Sequence, residues 1–337
     1  MSGPGLLRLI VICVSVLVAG CAPVRQGPLR PASAPSPGLY ADRFESFDGA
    51  RLGLSFWRPP GVADEAVSKV IVAVHGMNDY AGAFNAAGPW WAARGVVVYA
   101  YDQRGFGRSP RPGVWAHPET LRKDLHTIVE AARRRHPHST IAVVGESMGA
   151  SVAMTAFSSS NPPQADRLVL SGPGLRGWGA LPGLYRVSLW LSAHIRPDWI
   201  VVPPRGVSVT PTDNREKLLE MWNDPFVLKR TRIDSVYGVV SIMEEADRMI
   251  EGLPPAVPTL LLYGARDEVI PEAGVRRAVS RLPDHVRTAY YDRGLHMLMN
   301  DLQAENVWRD VLAFLDDPAQ PVPSAAPELP FRAKAAR

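Results

Sequence analysis

Residues 141–149 constrain the fold of this chain more than any other stretch. Four apolar residues, three of them β-branched, predict a short buried strand over 141–144. The sequence Gly-Glu-Ser-Met-Gly follows at 145–149, and a helical segment follows at 150–158. A strand, a tight turn and a helix around a G-x-S-x-G pattern predict a nucleophile elbow that presents Ser147 at the top of a sheet. The alternative is a chance match in a glycine-rich loop.

The two glycines of this pattern have a predicted steric role. The turn is so sharp that a side chain at Gly145 or Gly149 would meet the neighbouring strand or helix. We expect Ser147 itself to adopt a strained backbone conformation that holds its hydroxyl away from the sheet.

Strands alternate with helices along most of the chain. Apolar runs predict strands at residues 70–74, 96–100, 141–144, 167–171, 258–263 and 287–291. Alternating residues around Asp48-Gly49 predict a hairpin over 43–57. Helical patterns cover residues 118–135, 272–281 and 301–315. This order predicts an α/β domain over residues 39–316, with a mostly parallel sheet covered by helices on both faces.

The alternation is interrupted between residues 172 and 252. This insertion is rich in Gly, Pro and Trp and has helical patterns at 184–194, 214–222 and 235–250. Insertions of this length usually have a role of their own. Eight apolar residues could line an acyl or aryl pocket, or could pack the insertion against the core: Leu175, Trp178, Leu181, Leu184, Tyr185, Leu189, Trp190 and Leu191.

The amino terminus has the pattern of a bacterial lipoprotein signal peptide over residues 1–20. Arg8 is followed by an apolar run at 9–19, which is too short to span a bilayer. The sequence Leu-Val-Ala-Gly-Cys at 17–21 resembles a lipobox, which implies cleavage before Cys21 and lipidation of that cysteine. An ordinary signal peptide with an incidental cysteine is the alternative. If the host is Gram-negative, the sorting rule of bacterial lipoproteins favours the outer membrane, because the residue after the cysteine, Ala22, is not Asp.

The segments on either side of the domain are low in sequence complexity. Residues 21–38 contain five prolines and are predicted to be a flexible linker, and residues 317–337, rich in Pro and Ala, a disordered tail. Cys13 and Cys21 are the only cysteines, so the mature protein has no disulfide, cysteine nucleophile or thiolate metal site. A net charge of +4 without a long basic run gives no indication of nucleic-acid binding.

A serine nucleophile needs a base to take its proton and a carboxylate to orient that base. Among the histidines, His296 alone follows the last predicted strand, and it lies two residues after Gly294. Asp267 follows the preceding strand and is the favoured carboxylate, with Asp292 and Glu268 as alternatives. The oxyanion needs two backbone N–H donors, for which Met148 and Met77 are the candidates. His75, in the same turn as Met77, is expected to be a structural hydrogen-bonding residue.

Five blocks resemble the monoacylglycerol lipase and lysophospholipase group of α/β-hydrolases, the serine aminopeptidase-like hydrolases. They are His-Gly-Met-Asn-Asp-Tyr at 75–80, Tyr-Asp-Gln-Arg-Gly-Phe-Gly-Arg-Ser at 101–109, the elbow at 145–149, Gly-Ala-Arg-Asp-Glu-Val-Ile-Pro at 264–271 and Gly-Leu-His at 294–296. They occur in the family's order within residues 42–316.

The resemblance implies an α/β-hydrolase fold with a helical cap at about 172–252. It assigns Ser147, Asp267 and His296 to a catalytic triad, Met77 and Met148 to the oxyanion hole, and fold-supporting roles to Asp102 and Arg104. Glu146 stands where relatives often carry His, which leaves the triad chemistry intact. No metal and no organic cofactor is implied.

The sequence therefore predicts a serine hydrolase that cleaves esters of lipophilic acyl groups, such as monoacylglycerols or lysophospholipids, and that is anchored to the membrane of a bacterial cell envelope through Cys21. Acyl transfer, or amide or peptide cleavage by the same triad, is the alternative. A non-catalytic envelope lipoprotein is disfavoured because all three triad positions are filled, and a dehalogenase because the elbow carries Ser rather than Asp.

Overall fold

The computed structural model describes Pro23 and residues 25–29, 37–202 and 209–332. The predicted signal peptide and the predicted lipidation site, Cys21, lie outside the described residues. Within those ranges, no helix is both long and apolar enough to cross a membrane.

A nine-stranded sheet runs through the described part of the chain. Its strands are β1 Gly38–Leu39, β2 Arg43–Glu45, β3 Arg51–Trp57, β4 Lys69–Val74, β5 Val96–Tyr101, β6 Thr140–Glu146, β7 Arg167–Ser171, β10 Thr259–Gly264 and β11 Arg287–Tyr291. They lie in the order β1-β2-β3-β5-β4-β6-β7-β10-β11. The pairs from β5 to β11 are parallel, whereas the pairs that join β1, β2, β3 and β5 are antiparallel. The predicted hairpin and mostly parallel sheet are therefore present.

The central strands form because their residues are apolar on both faces. All six residues of β5 and the last five residues of β4 are buried. Helices α2 Pro118–Arg135, α3 Met148–Phe157 and α7 Glu272–Val279 pack on one face of the sheet. Helices α1 Ala87–Ala92 and α8 Ala304–Asp316 pack on the other face. The expected α/β architecture with two covered faces is confirmed.

The cap lies between β7 and β10, where the sequence predicts it. Its helices are α4 Gly183–Ile195, α5 Arg215–Asn223 and α6 Ile233–Met249, and a two-stranded ribbon pairs β8 Ile200–Val201 with β9 Thr231–Arg232. Asn214 caps α5 by accepting a hydrogen bond from the Lys217 N–H at 3.1 Å. Helix α6 also packs against α3, so the cap contacts the helix that begins directly after Ser147.

The carboxyl-terminal segment is ordered up to residue 332, so the prediction of a disordered tail is wrong for residues 317–332. The segment runs along β11, an edge strand of the sheet. Tyr290 donates its N–H to the Pro327 carbonyl at 2.8 Å, and the side chains of Leu329 and Phe331 are buried. An edge strand leaves backbone groups unpaired, and this segment covers them.

Part of the predicted flexible linker also packs on the domain. Gln26 is 4% exposed, and its side-chain amide donates to the Val114 carbonyl at 2.6 Å. Its backbone pairs with Trp115 and His117, and the Leu29 N–H donates to Asp48 Oδ2 at 2.6 Å. The expectation of flexibility is therefore wrong for residues 25–29, because specific polar groups fix a segment whose composition alone indicates a linker.

Candidate active site

Ser147 lies in a sharp turn between β6 and α3. Its backbone has φ 54° and ψ −116°, a conformation that non-glycine residues rarely adopt. Its N–H donates to the Ser171 carbonyl at 2.9 Å, which ties the turn to the neighbouring strand β7. The strained conformation expected from the sequence is present, and the adjoining strand helps to hold it.

The elbow requires glycine on both sides of this serine. A Cβ on Gly145 would lie 2.7 Å from the Ala150 Cα, and a Cβ on Gly149 would lie 2.1 Å from the Val74 carbonyl oxygen. Both distances are far below van der Waals contact with backbone that cannot move away. The sequence pattern therefore has the steric origin that we predict for it.

The imidazole of His296 lies between Ser147 and Asp267. Its Nε2 is 2.8 Å from Ser147 Oγ, and its Nδ1 is 2.8 Å from Asp267 Oδ2. All three residues are buried. With Nδ1–H donating to the carboxylate, Nε2 is free to accept the proton of the serine hydroxyl.

Asp267 is held in place by the loop that carries it. Its Oδ1 accepts hydrogen bonds from the N–H groups of Val269 at 2.9 Å and Ile270 at 2.8 Å, which leaves Oδ2 directed at His296. Glu268 accepts from the Thr210 N–H instead, and Asp292 is exposed. Within the described residues neither of these alternatives hydrogen bonds to His296, so the geometry favours Asp267.

The two candidate oxyanion donors lie beside the nucleophile. Met148 is the first residue of α3, where helix N–H groups lack intrahelical partners. Met77 follows Gly76, where a Cβ would lie 3.2 Å from the Ser147 Cβ and 3.8 Å from its Oγ. Within the described residues, neither the Met77 N–H nor the Met148 N–H donates a hydrogen bond. Both amides are therefore available to a substrate oxygen.

His75 has the structural role that the sequence suggests. Its Nε2 accepts the Gln103 N–H at 2.9 Å and its Nδ1 lies 2.7 Å from the Gly76 carbonyl, to which it donates. Burial lowers the pKa of His75 to about 4, so the ring is neutral at physiological pH. It orients the peptide group that joins Gly76 to Met77 and, within the described residues, makes no hydrogen bond with Ser147.

A cluster of buried carboxyl groups, which the sequence does not predict, lies near the elbow. Glu146, Asp79 and Asp301 are all nearly inaccessible to solvent. Burial, reinforced by Asp79, raises the pKa of Glu146 to about 8, and burial raises the pKa of Asp79 and of Asp301 to about 6 each. Lys217 of the cap is the cation that opposes these shifts at Glu146 and Asp79. At neutral pH the Glu146 carboxyl is therefore largely protonated.

Asp102 and Arg104 support the loop after β5, as expected. Arg104 is 2% exposed and forms paired hydrogen bonds with both Asp48 and Asp124, at 2.6–2.9 Å. Asp102 accepts from the Arg108 guanidinium and from the Ala81 N–H at 3.0 Å. These ion pairs connect the hairpin, the loop and α2.

The eight apolar residues of the cap differ in exposure. Leu175 and Leu189 are buried, and Trp178 and Leu181 are half-buried against the core. Leu184, Tyr185, Trp190 and Leu191 are exposed on α4. Two cavities flank this helix. One, of about 410 Å³, is lined by Trp178, Arg186, Val187, Trp190, Leu191 and Tyr237. The other, of about 260 Å³, is lined by Leu181, Tyr185, Ser188, Leu189, Ser192, Ile233, Val236 and Val240.

No group of three or more His, Cys, Asp or Glu residues in the described ranges is arranged to hold a metal ion.

The residues that form this site lie within a match to a known protein family. The family described as "Serine aminopeptidase, S33" matches residues 65–303, which include the elbow, the cap and the loops of Asp267 and His296. The chain belongs to the serine aminopeptidase S33 family. The sequence-based expectations of an α/β-hydrolase fold and of a carboxylic ester hydrolase are thereby confirmed.

The relatives of this S33 family member include monoacylglycerol lipases. A monoacylglycerol lipase of Mycolicibacterium smegmatis is 27% identical over 286 residues, which cover 81% of this chain and 95% of that protein. The monoacylglycerol lipase of Paleococcus ferrophilus superimposes with a TM-score of 0.63 at 23% identity, covering 78% of this chain and 98% of the other. A soluble variant of the Saccharomyces cerevisiae monoglyceride lipase gives a TM-score of 0.66 at 16% identity, covering 86% and 98%.

Proposed function

We propose that this S33 family member hydrolyses esters of lipophilic acyl groups, with monoacylglycerols as the first substrate class and lysophospholipids as the second. The observation that carries the proposal is the position of His296. Its Nε2 lies 2.8 Å from Ser147 Oγ, and its Nδ1 lies 2.8 Å from Asp267 Oδ2. This is the arrangement that a serine nucleophile requires.

In the proposed mechanism, Ser147 Oγ attacks the ester carbonyl carbon while its proton passes to His296 Nε2. The carbonyl oxygen becomes an oxyanion that accepts hydrogen bonds from the Met77 and Met148 N–H groups. The bond to the alcohol breaks, and the imidazolium of His296 gives its proton to the leaving alkoxide. A water then attacks the acyl-enzyme by the same route, which releases the fatty acid and restores Ser147.

Three observations support a lipophilic substrate. The cavities on both sides of α4 have mostly apolar linings. The exposed face of α4 carries large apolar residues, and Leu184 and Tyr185 are 80% and 65% exposed. Apolar surface of this kind is typical of proteins that contact lipids or other apolar partners. The Mycolicibacterium smegmatis relative is a monoacylglycerol lipase.

A substrate panel tests this proposal. The purified protein is incubated with 1-monoacylglycerols of graded chain length, matched lysophospholipids and an acyl amide, and the free fatty acid is quantified. We expect kcat/KM to be highest for a monoacylglycerol and to fall by at least tenfold for the amide. Faster amide cleavage, or an acylated amine or alcohol as the main product when acceptors are present, would contradict ester hydrolysis as the function.

We also propose that Cys21 carries a lipid that anchors the enzyme to a bacterial envelope membrane. The lipobox pattern at residues 17–21 supports this proposal. In a bacterial host that expresses the full sequence, metabolic labelling with an alkyne analogue of palmitate should mark the processed protein, and Cys21→Ser should abolish the label and release activity from the membrane fraction. Equal labelling of both forms would refute the anchor.

A further inference from the structure

Asn78, the residue after the candidate oxyanion donor Met77, has an unusual backbone conformation. Its φ is +64°, in the left-handed region that L-residues rarely adopt and that Asn tolerates better than most. The loop leaves β4 at Val74 and must turn sharply to bring Met77 beside Ser147. The position of the Met77 N–H therefore depends on what holds Asn78 in this conformation.

The cap supplies the groups that hold it. The Asn78 side-chain amide donates to the Thr231 hydroxyl at 2.8 Å, and the Asn78 carbonyl accepts the Leu228 N–H at 2.8 Å. Thr231 begins the cap strand β9, and Leu228 lies in the turn that precedes it. Both bonds join residues about 150 positions apart in sequence, so they exist only when the cap is seated on the core.

The residues that follow Asn78 are fastened to the cap in the same way. The Tyr80 hydroxyl donates to Asp224 Oδ2 at 2.7 Å, and the Tyr80 and Phe226 rings lie 5.5 Å apart. The buried ammonium of Lys217 donates to the Gly82 carbonyl at 3.3 Å. The beginning of the loop is held differently, because His75 fixes the Gly76 carbonyl from the core side. Met77 thus lies between a core-held and a cap-held segment.

The same part of the cap also contacts the loop that carries the base. The Met297 N–H donates to the Pro211 carbonyl at 2.8 Å, and the Leu302 N–H donates to Asp213 Oδ1 at 2.8 Å. The Thr212 hydroxyl donates to the Asn300 carbonyl at 3.2 Å. Residues 210–231 of the cap therefore contact the oxyanion loop on one side and the His296 loop on the other.

We propose that Asn78 is a positioning residue through which the cap sets the oxyanion donor, so that the oxyanion hole is complete only when Thr231 and Leu228 of the seated cap bind Asn78. This inference rests on the proposed role of Met77 in ester hydrolysis. It makes the cap part of the catalytic geometry.

The test compares Thr231→Val, which removes the acceptor at nearly constant volume, with Thr231→Ser, which keeps it. Thr127→Val is the matched control, since Thr127 is buried and its hydroxyl, within the described residues, hydrogen bonds only to the Lys123 carbonyl of its own helix α2. Steady-state kinetics use p-nitrophenyl butyrate, a short soluble ester. Binding of an alkyl boronic acid, which forms a tetrahedral adduct with the serine, reports on the oxyanion hole.

We expect Thr231→Val to lower kcat about tenfold with KM changed less than twofold, and to weaken boronic acid binding by a similar factor, as loss of an interaction made in the transition state requires. Thr231→Ser should restore both values to within twofold of the parent. Asn78→Gly provides a second test, because glycine keeps the left-handed conformation but lacks the donor, and it should reproduce the effect of Thr231→Val.

Two outcomes would overturn the inference. One is an unchanged kcat and boronic acid affinity in both Thr231→Val and Asn78→Gly. The other is a loss that Thr127→Val reproduces, which would indicate a general effect on stability. In either case ester hydrolysis by Ser147 would stand, since that function is tested separately by the Ser147→Ala variant and by the substrate panel.

Discussion

Asp267 Oδ2 lies 2.8 Å from His296 Nδ1, and the other oxygen of the same carboxylate accepts two backbone N–H groups. The carboxylate is thus fixed before substrate binds, and it selects the tautomer of His296 that leaves Nε2 facing Ser147. The strand that precedes Asp267, β10, pairs in parallel with the strand that precedes His296, β11, so the two loops emerge at the same edge of the sheet.

This relationship predicts the effect of removing the charge of Asp267. Asp267→Asn should keep the fold and lower kcat for p-nitrophenyl butyrate by about 10³-fold or more, because the amide favours the wrong tautomer of His296. Asp292→Asn is the matched control, since Asp292 is exposed and should leave kcat within twofold of the parent. A large loss in the Asp292 variant, with a small loss in the Asp267 variant, would show that the acid has been misassigned.

The raised pKa of Glu146 predicts that stability depends on pH. Burial, with Asp79 next in importance, raises this pKa from 4.5 to about 8, so the fold favours the protonated carboxyl. The corresponding stability is fully present below about pH 4.5 and is lost as the pH rises to about 8. The loss approaches about 1.4 kcal/mol per pH unit for one group. Asp79 and Asp301, whose pKa values are raised to about 6, contribute at lower pH.

Urea unfolding between pH 6.5 and 8 isolates the contribution of Glu146 from that of the two aspartates. The free energy of unfolding of the parent should fall across this range, and Glu146→Gln should flatten the slope because its side chain is neutral throughout. Glu65→Gln is the matched control, since it removes a charge at an exposed position and should leave the slope with pH unchanged. A slope in Glu146→Gln equal to that of the parent would refute the burial argument.

The buried ion pairs of Arg104 predict a large effect on stability. Arg104 binds Asp48 and Asp124 at once through its planar guanidinium, and a lysine cannot reproduce this geometry. Arg104→Lys should therefore lower the free energy of unfolding by about 3 kcal/mol, since it leaves buried carboxylate oxygens without partners. Chemical denaturation measures the change, and Arg94→Lys is an exposed control at a helix end. Equal stability of the two variants would mean that the network contributes little.

The sequence was sufficient for the parts of the fold that depend on local patterns. The strand, glycine turn and helix around Ser147 follow from steric requirements within a few residues, and the observed turn has them. The strand ends that carry Asp267 and His296 could likewise be located, because apolar runs mark buried strands. The reach of His296 to Asp267 rather than Asp292 required the structure, since sequence distance does not give the direction of a loop.

Contacts between distant segments could not be predicted from composition. Residues 317–332 resemble a disordered tail, yet an edge strand offers backbone groups that bind them. The last helix begins at Ala304 rather than at Asp301, because the Asp301 carboxylate accepts the Leu295 N–H at 2.8 Å within the preceding loop. The acidic cluster brings Asp79 and Asp301, from opposite ends of the domain sequence, close to Glu146. The hydrogen bond between Asn78 and Thr231 joins the core to the cap.

Reaction of the protein with a fluorophosphonate, followed by peptide mass spectrometry, measures the nucleophile directly. We predict stoichiometric labelling at Ser147, loss of ester hydrolysis in proportion to labelling, and neither labelling nor activity in Ser147→Ala. Labelling at a different serine, or ester hydrolysis that persists in Ser147→Ala, would contradict the proposed triad.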